Sequence, residues 1–270
     1  MTPHLLRRLL AAAVLAVVAT ACGDAELKPK VTPDPRLNVT GPPSMNLEGT
    51  ITVAAAAPLT DAMKQLEQAY EDENRKVKVE LKLGVSSELA SQMRHGTAAD
   101  VFATPDEADM KTLEQAGLIS DRSRAFTRDK LQIVVRPGNP KKVQGLADLA
   151  NEPIRAGWAV ARVPAGKAAA EAVAKSGKQI TPDFQEPDSK SVVNKVAQGS
   201  MDAGLAWASD VKAAGNKVSA VEVQPPTSVI YPMAVLKATK NLAAAQSFTG
   251  FVLSQRGQAI LQGLGFLPPQ

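Results

Sequence analysis

The chain is short of the residues from which most catalytic centres are built. A single cysteine in 270 residues excludes an internal disulfide. Histidine occurs twice, as His4 and His95, and no His/Cys/Glu grouping has metal-ligand spacing. His95 falls at the far end of the helix that Ser86 or Ser87 would open, about 13 Å away at about 1.5 Å per residue, so a serine nucleophile finds no base there. Aromatic residues are 4% of the chain, too few for a base-stacking surface. The formal charge of +4 falls to +2 without Arg7 and Arg8, since 29 Lys and Arg then face 27 Asp and Glu, and such a balance does not attract nucleic acid. Neither a Walker phosphate loop nor a G-x-G-x-x-G fingerprint is present. Asp and Glu are scattered without pattern, which leaves a catalytic carboxylate pair open but unmarked.

What is present begins at the N-terminus. Residues 4–8 are a short basic start, residues 9–19 an apolar stretch too short to span a bilayer comfortably, and Ala19-Thr20-Ala21 small residues before Cys22. Residues 1–21 therefore read as a secretion signal. The pattern before Cys22 resembles the lipobox of bacterial lipoproteins, in which that cysteine becomes the lipidated first residue, although Ala19 stands where Leu is commoner. An ordinary signal peptide with an incidental cysteine is the alternative. The resemblance implies an exported chain held by lipid to the outer face of the cytoplasmic membrane. Residues 22–48 then carry Pro29, Pro33, Pro35, Pro42 and Pro43 with few large apolar side chains, the composition of an extended tether.

The folded part is expected from Gly49. With 44% hydrophobic residues in the chain, it can bury a full core. Strand patterns at 50–55, 76–83 (Val77, Val79, Leu81 and Leu83 alternating), 100–103 and 131–136 are separated by helical spacing at 59–70, 89–93 and 106–116. Further strands are expected at 155–159, 204–207, 218–223 and 231–236, and further helices at 167–175, 191–198, 243–253 and 257–262. Such alternation defines an α/β protein with a mostly parallel sheet covered by helices on both faces. Ligands of open α/β sheets bind where strands give way to helices. Three such turns hold small residues: AAAAPLT with Pro58 and Thr60, GVSSELA with Ser86 and Ser87, and VPAG with Ala165 and Gly166. The ordinary reading of each is local. A serine there caps a helix, Pro58 starts one, and Gly166 permits a tight bend. If the sheet brings the turns together, however, their helix N-termini form an anion site without counter-charges.

AAAAPLTDAM, GVSSELA, ADVFATPDEADM, VPAGKAAAEA, MDAGLAWASD and YPMAVLK occur in the order and rough spacing of the periplasmic molybdate-binding proteins of ABC importers, and the chain resembles that family over residues 49–268. The resemblance implies a two-lobed type II periplasmic-binding-protein fold. Residues 49–129 and 233–270 would form one lobe and 130–232 the other, joined at a hinge of strands near 131–136 and 230–231. It implies a monomeric binding protein rather than an enzyme, without a cofactor, that closes on molybdate or tungstate and serves a permease and ATPase complex. Ser86, Ala165 and Ser189 would donate to the oxyanion, Ser86 also capping its helix, with Ser87 and Tyr231 supporting. Two positions depart from the family. Pro58 stands where a serine donor is usual, with Thr60 as a partial replacement, and Trp207 stands where a tyrosine is usual; an ordinary core role for Trp207 stays open. Those departures keep open a different oxyanion such as sulfate or phosphate, or a small organic anion stacked on Trp207. An exported enzyme or interaction protein without a transport role is the remaining alternative.

Overall fold

The computed structural model describes residues 47–151 and 153–269. The expected secretion signal, Cys22 and nearly all of the tether lie outside the described residues. No described helix is long and apolar enough to cross a membrane. The chain runs through β1 (Gly49–Ala56), a 3-10 turn (Ala57–Leu59), α1 (Thr60–Glu73), β2 (Val77–Gly84), α2 (Ser86–Arg94), β3 (Val101–Ala103), α3 (Glu107–Gln115) and β4 (Arg124–Val135). It continues through β5 (Ala156–Ala159), α4 (Pro164–Lys175), β6 (Phe184–Glu186), α5 (Ser189–Ala197), β7 (Ala203–Trp207), α6 (Ala208–Ala214), β8 (Ser219–Glu222), β9 (Ser228–Val235), α7 (Leu242–Leu253) and α8 (Gln255–Gly263).

The strands lie in the order β2-β1-β3-β9-β4-β7-β5-β6, with β8 also on β4. Side-chain alternation decides what each face buries. On one face of β1, Ile51 and Val53 pack with Met63, Leu66 and Tyr70 of α1 and with Phe248 and Val252 of α7. On the other, Ala54 joins Leu89 and Met93 of α2 and Met110 and Leu113 of α3. β4 repeats the arrangement further along: Ile133 and Val135 pack with the α4 residues Ala169 and Ala172, while Val134 packs with Val192 and Val196 of α5 and Val211 of α6.

The sheet departs from the mostly parallel arrangement expected. β1–β2, β1–β3, β5–β6 and β5–β7 are parallel, but β3–β9, β4–β7, β4–β8 and β4–β9 are antiparallel. Crossover helices enforce parallel pairing only between the strands they connect, and β4 and β9 are both laid in against that direction. β4 is also twice as long as its apolar segment. Its first part, 124–130, pairs with β9, and its second, 131–135, pairs with β7 and β8, so the strand changes neighbours between Lys130 and Leu131. The segment RAFTRDK hid this extension behind its charges, yet Phe126, Thr127 and Asp129 within it are buried. The short strand β6 and the helix α6 had no expected counterpart. Pro58 was expected in the first turn of α1 and instead occupies the 3-10 turn before it.

Candidate functional site

The loops at the ends of β1, β5, β6 and β7 enclose a cavity of about 280 Å³. Ala57, Pro58, Thr60 and Asp61 form one side; Val163, Pro164 and Ala165, then Asp188, Ser189 and Lys190, then Trp207 and Asp210 form the others. In the 3-10 turn the Thr60 hydroxyl and backbone N–H both donate to the Ala57 carbonyl, the hydroxyl at 2.7 Å, so Thr60 is occupied within its own turn. Pro58 has no N–H to offer.

The next side is the start of α4. Val163 is extended ahead of the helix and Lys167 N–H returns to the Val163 carbonyl, which leaves the Ala165 and Gly166 N–H groups without intrahelical acceptors. Gly166 is required by proximity rather than by a bend: a Cβ there would lie 2.0 Å from the Val160 carbonyl oxygen. α5 opens in the same way. The Asp188 carboxylate caps it by accepting from Ser191 N–H at 2.7 Å, and the Ser189 and Lys190 N–H groups remain for a ligand.

The Ser189 hydroxyl ties the third side to the fourth. It accepts from the Trp207 backbone N–H at 2.8 Å and is in hydrogen-bonding contact with Asp210. Ser189 thus offers a ligand its backbone N–H rather than its hydroxyl. Trp207 is 2% exposed and belongs both to the cavity wall and to the α4-side core. Burial raises the Asp210 pKa, with Asp188 and Asp61 adding to the shift against Ser189 and Lys190. Lys190 reaches across the opening to Asp61 at 3.6 Å, and beside the cavity Lys167 meets Asp106 at 3.2 Å.

The structure therefore gathers Pro58, Thr60, Ala165, Ser189 and Trp207 around one cavity. Ser86, Ser87 and Tyr231 are not among its lining residues. Ser86 does not cap α2 as expected: Val85, in extended conformation, occupies the cap position, and Ser86 is the first helical residue, its hydroxyl beside the Asp109 carboxylate of α3. Ser87 is exposed. Tyr231 is buried in the core of β9, edge-on to Phe126 and Phe266, with its hydroxyl unpartnered among the described residues. The charged members of the wall, Asp61, Asp188, Lys190 and Asp210, went unread in the sequence. Asp61 and Asp210 even stand inside AAAAPLTDAM and MDAGLAWASD, motifs whose neutral donors carry the resemblance. Among the described residues no group of three His, Cys, Asp or Glu could hold a metal ion.

A doubly covered α/β sheet with helix starts facing one cavity defines a solute-binding protein. Residues 51–267 match the bacterial extracellular solute-binding protein family, and the chain belongs to that family. It is accordingly an exported binding protein and not an enzyme. It is 35% identical over 222 residues to the molybdate-binding protein ModA of Mycobacterium tuberculosis, covering 82% of this chain and 85% of that one. YvgL of Bacillus subtilis, described as an ABC transporter substrate-binding lipoprotein, is 26% identical over 223 residues, covering 80% and 86%. Among solved structures, the substrate binding domain assigned to a molybdenum ABC transporter of Clostridium difficile superposes with a TM-score of 0.70 at 28% identity, covering 82% of this chain and 99% of that domain.

Proposed function

We propose that this protein captures molybdate or tungstate as a free oxyanion and delivers it to the permease and ATPase of an ABC importer. One observation carries the reading: the N-termini of α4 and α5 bring Ala165, Ser189 and Lys190, whose N–H groups have no intrahelical acceptor, to the wall of a single cavity. Such groups stabilise an anion by direct hydrogen bonds and by the helix dipole. The likeness to molybdate-binding relatives supports the ligand.

The change of partner along β4 supports two lobes, 49–129 with 233–270 and 130–232, that close over the ligand. In this reading closure brings Ser86 to the oxyanion from the first lobe. Cavity size would discriminate against the smaller sulfate. The monomer is tethered by lipid on Cys22, as the lipoprotein relative supports. A thermal-shift panel of molybdate, tungstate, sulfate and phosphate tests the function. Ligand at about 100 times Kd adds about 2.7 kcal/mol of stability, and no shift with any oxyanion would refute the proposal. Pro58 and Trp207 favour a second reading, a different oxyanion or a small organic anion stacked on the indole. A panel in which sulfate, phosphate or an organic anion stabilises and molybdate does not would select it.

A further inference from the structure

The cavity wall holds more negative than positive charge. Its lining residues include three carboxyls, Asp61, Asp188 and Asp210, against one cation, Lys190, which is already paired with Asp61. Asp61 is mostly exposed and Asp188 is engaged as the cap of α5. Asp210 differs. It is half-buried in the cavity wall, beside the Ser189 hydroxyl that also accepts from Trp207 N–H. A dianion drawn in by the helix starts would meet an ionised Asp210 in a water-poor wall, where like charges repel strongly.

Resting on the proposed oxyanion function, we infer that Asp210 holds the ligand through one shared proton, so that the cavity selects oxyanions basic enough to share it. The proton comes from solvent on binding and returns there on release. It sits between an Asp210 carboxylate oxygen and a ligand oxygen, replacing repulsion with a charge-assisted O–H···O bond. It also supplies the kind of donor that Pro58 withholds elsewhere in the wall. Sulfate, a far weaker base than molybdate, tungstate or hydrogenphosphate, shares that proton poorly and is rejected for that reason as well as for its size.

The surroundings of Asp210 favour this chemistry. Burial raises its pKa, and Asp188 and Asp61 raise it further, while Ser189 and Lys190 oppose them. Asp129 of β4 and Tyr231 of β9 are near enough to feel the charge of Asp210.

Calorimetric titration with molybdate at about pH 6 and about pH 8, each in two buffers of different ionisation heat, measures both affinity and proton uptake. The protein should take up a proton on binding, and its affinity should fall by up to about tenfold per pH unit across the range. Asp210→Asn keeps a donor without the charge, so its affinity should be flat with pH, its proton uptake absent and its preference for molybdate over sulfate narrowed. Binding by the unaltered protein without buffer-dependent heat overturns the inference and leaves the oxyanion function standing; this arm needs no variant. A pH slope that survives in Asp210→Asn belongs to another group, Asp129 foremost, and also overturns it. Absence of heat with every oxyanion overturns the function and the inference together.

Discussion

Asp129 offers the sharpest test of the fold's energetics. It is fully buried in β4 at the point where the strand changes neighbours, its carboxylate accepting from Lys130 N–H at 2.8 Å and from the Ser209 hydroxyl at 2.6 Å. Burial pushes its pKa up to about 7, with Asp210 contributing and the bonds from Ser209 and Lys130 opposing. In the unfolded chain the same group titrates near about 3.9. Because the folded value is the higher, the folded state binds the extra proton. Its stabilising effect is complete below the unfolded value and is lost as pH rises through the folded one. At about 1.36 kcal/mol per unit, the loss from this group between about pH 5 and about pH 8 is about 2–3 kcal/mol. For a domain of this size that is about 5–10 °C in Tm. Asp129→Asn removes the titration while its amide can still accept from Lys130 N–H and donate to the Ser209 oxygen. Urea unfolding of both proteins at the two pH values, at one ionic strength, should show the variant losing about 2–3 kcal/mol less than the parent. Equal losses would mean that Asp129 is not held protonated by the fold.

Three other substitutions probe the cavity. Pro58→Ser restores an N–H and a hydroxyl to the donor-poor side and should tighten molybdate binding by about 1–3 kcal/mol; unchanged affinity in calorimetry would argue for a pocket rebuilt around another ligand. Ser86→Ala should weaken oxyanion binding by about 1.5–3 kcal/mol if closure brings Ser86 to the ligand. The melting temperature should fall only slightly, because the hydroxyl caps nothing and the loss is confined to its contact with the Asp109 carboxylate, and equal binding by variant and parent would remove Ser86 from the site. Gly166→Ala forces a methyl to within 2.0 Å of the Val160 carbonyl, so α4 must shift. Both oxyanion affinity and stability should fall, the latter by about 1–3 kcal/mol, and a crystal structure with α4 unmoved would contradict the close-approach argument.

Local sequence determined the elements that carry their own periodicity. The alternation of Val77, Val79, Leu81 and Leu83 marked β2, the spacing of Met63, Leu66 and Tyr70 marked α1, and the apolar run 131–135 marked the second half of β4. It also placed Pro58 and Ala165 in turns where strands give way to helices, because proline and small residues act within one turn of chain, although Pro58 lies in the 3-10 turn ahead of α1 and Ser189 was marked only by the resemblance. Pairing partners were beyond its reach. Nothing in RAFTRDK shows that this charged segment lies beside β9, since Asp129 is hidden only when residues a hundred positions away close over it. The same holds for the cavity. A neutral donor is recognisable where it stands, but the meaning of a carboxylate depends on what faces it. Asp61 becomes a partner of Lys190, and Asp210 of Ser189, only after three distant turns meet. Tertiary structure alone sets the distances and the burial on which electrostatic energy depends, and so it alone set Asp210 beside Ser189 in the wall of the cavity, with its pKa raised by burial, rather than leaving it one more scattered acid.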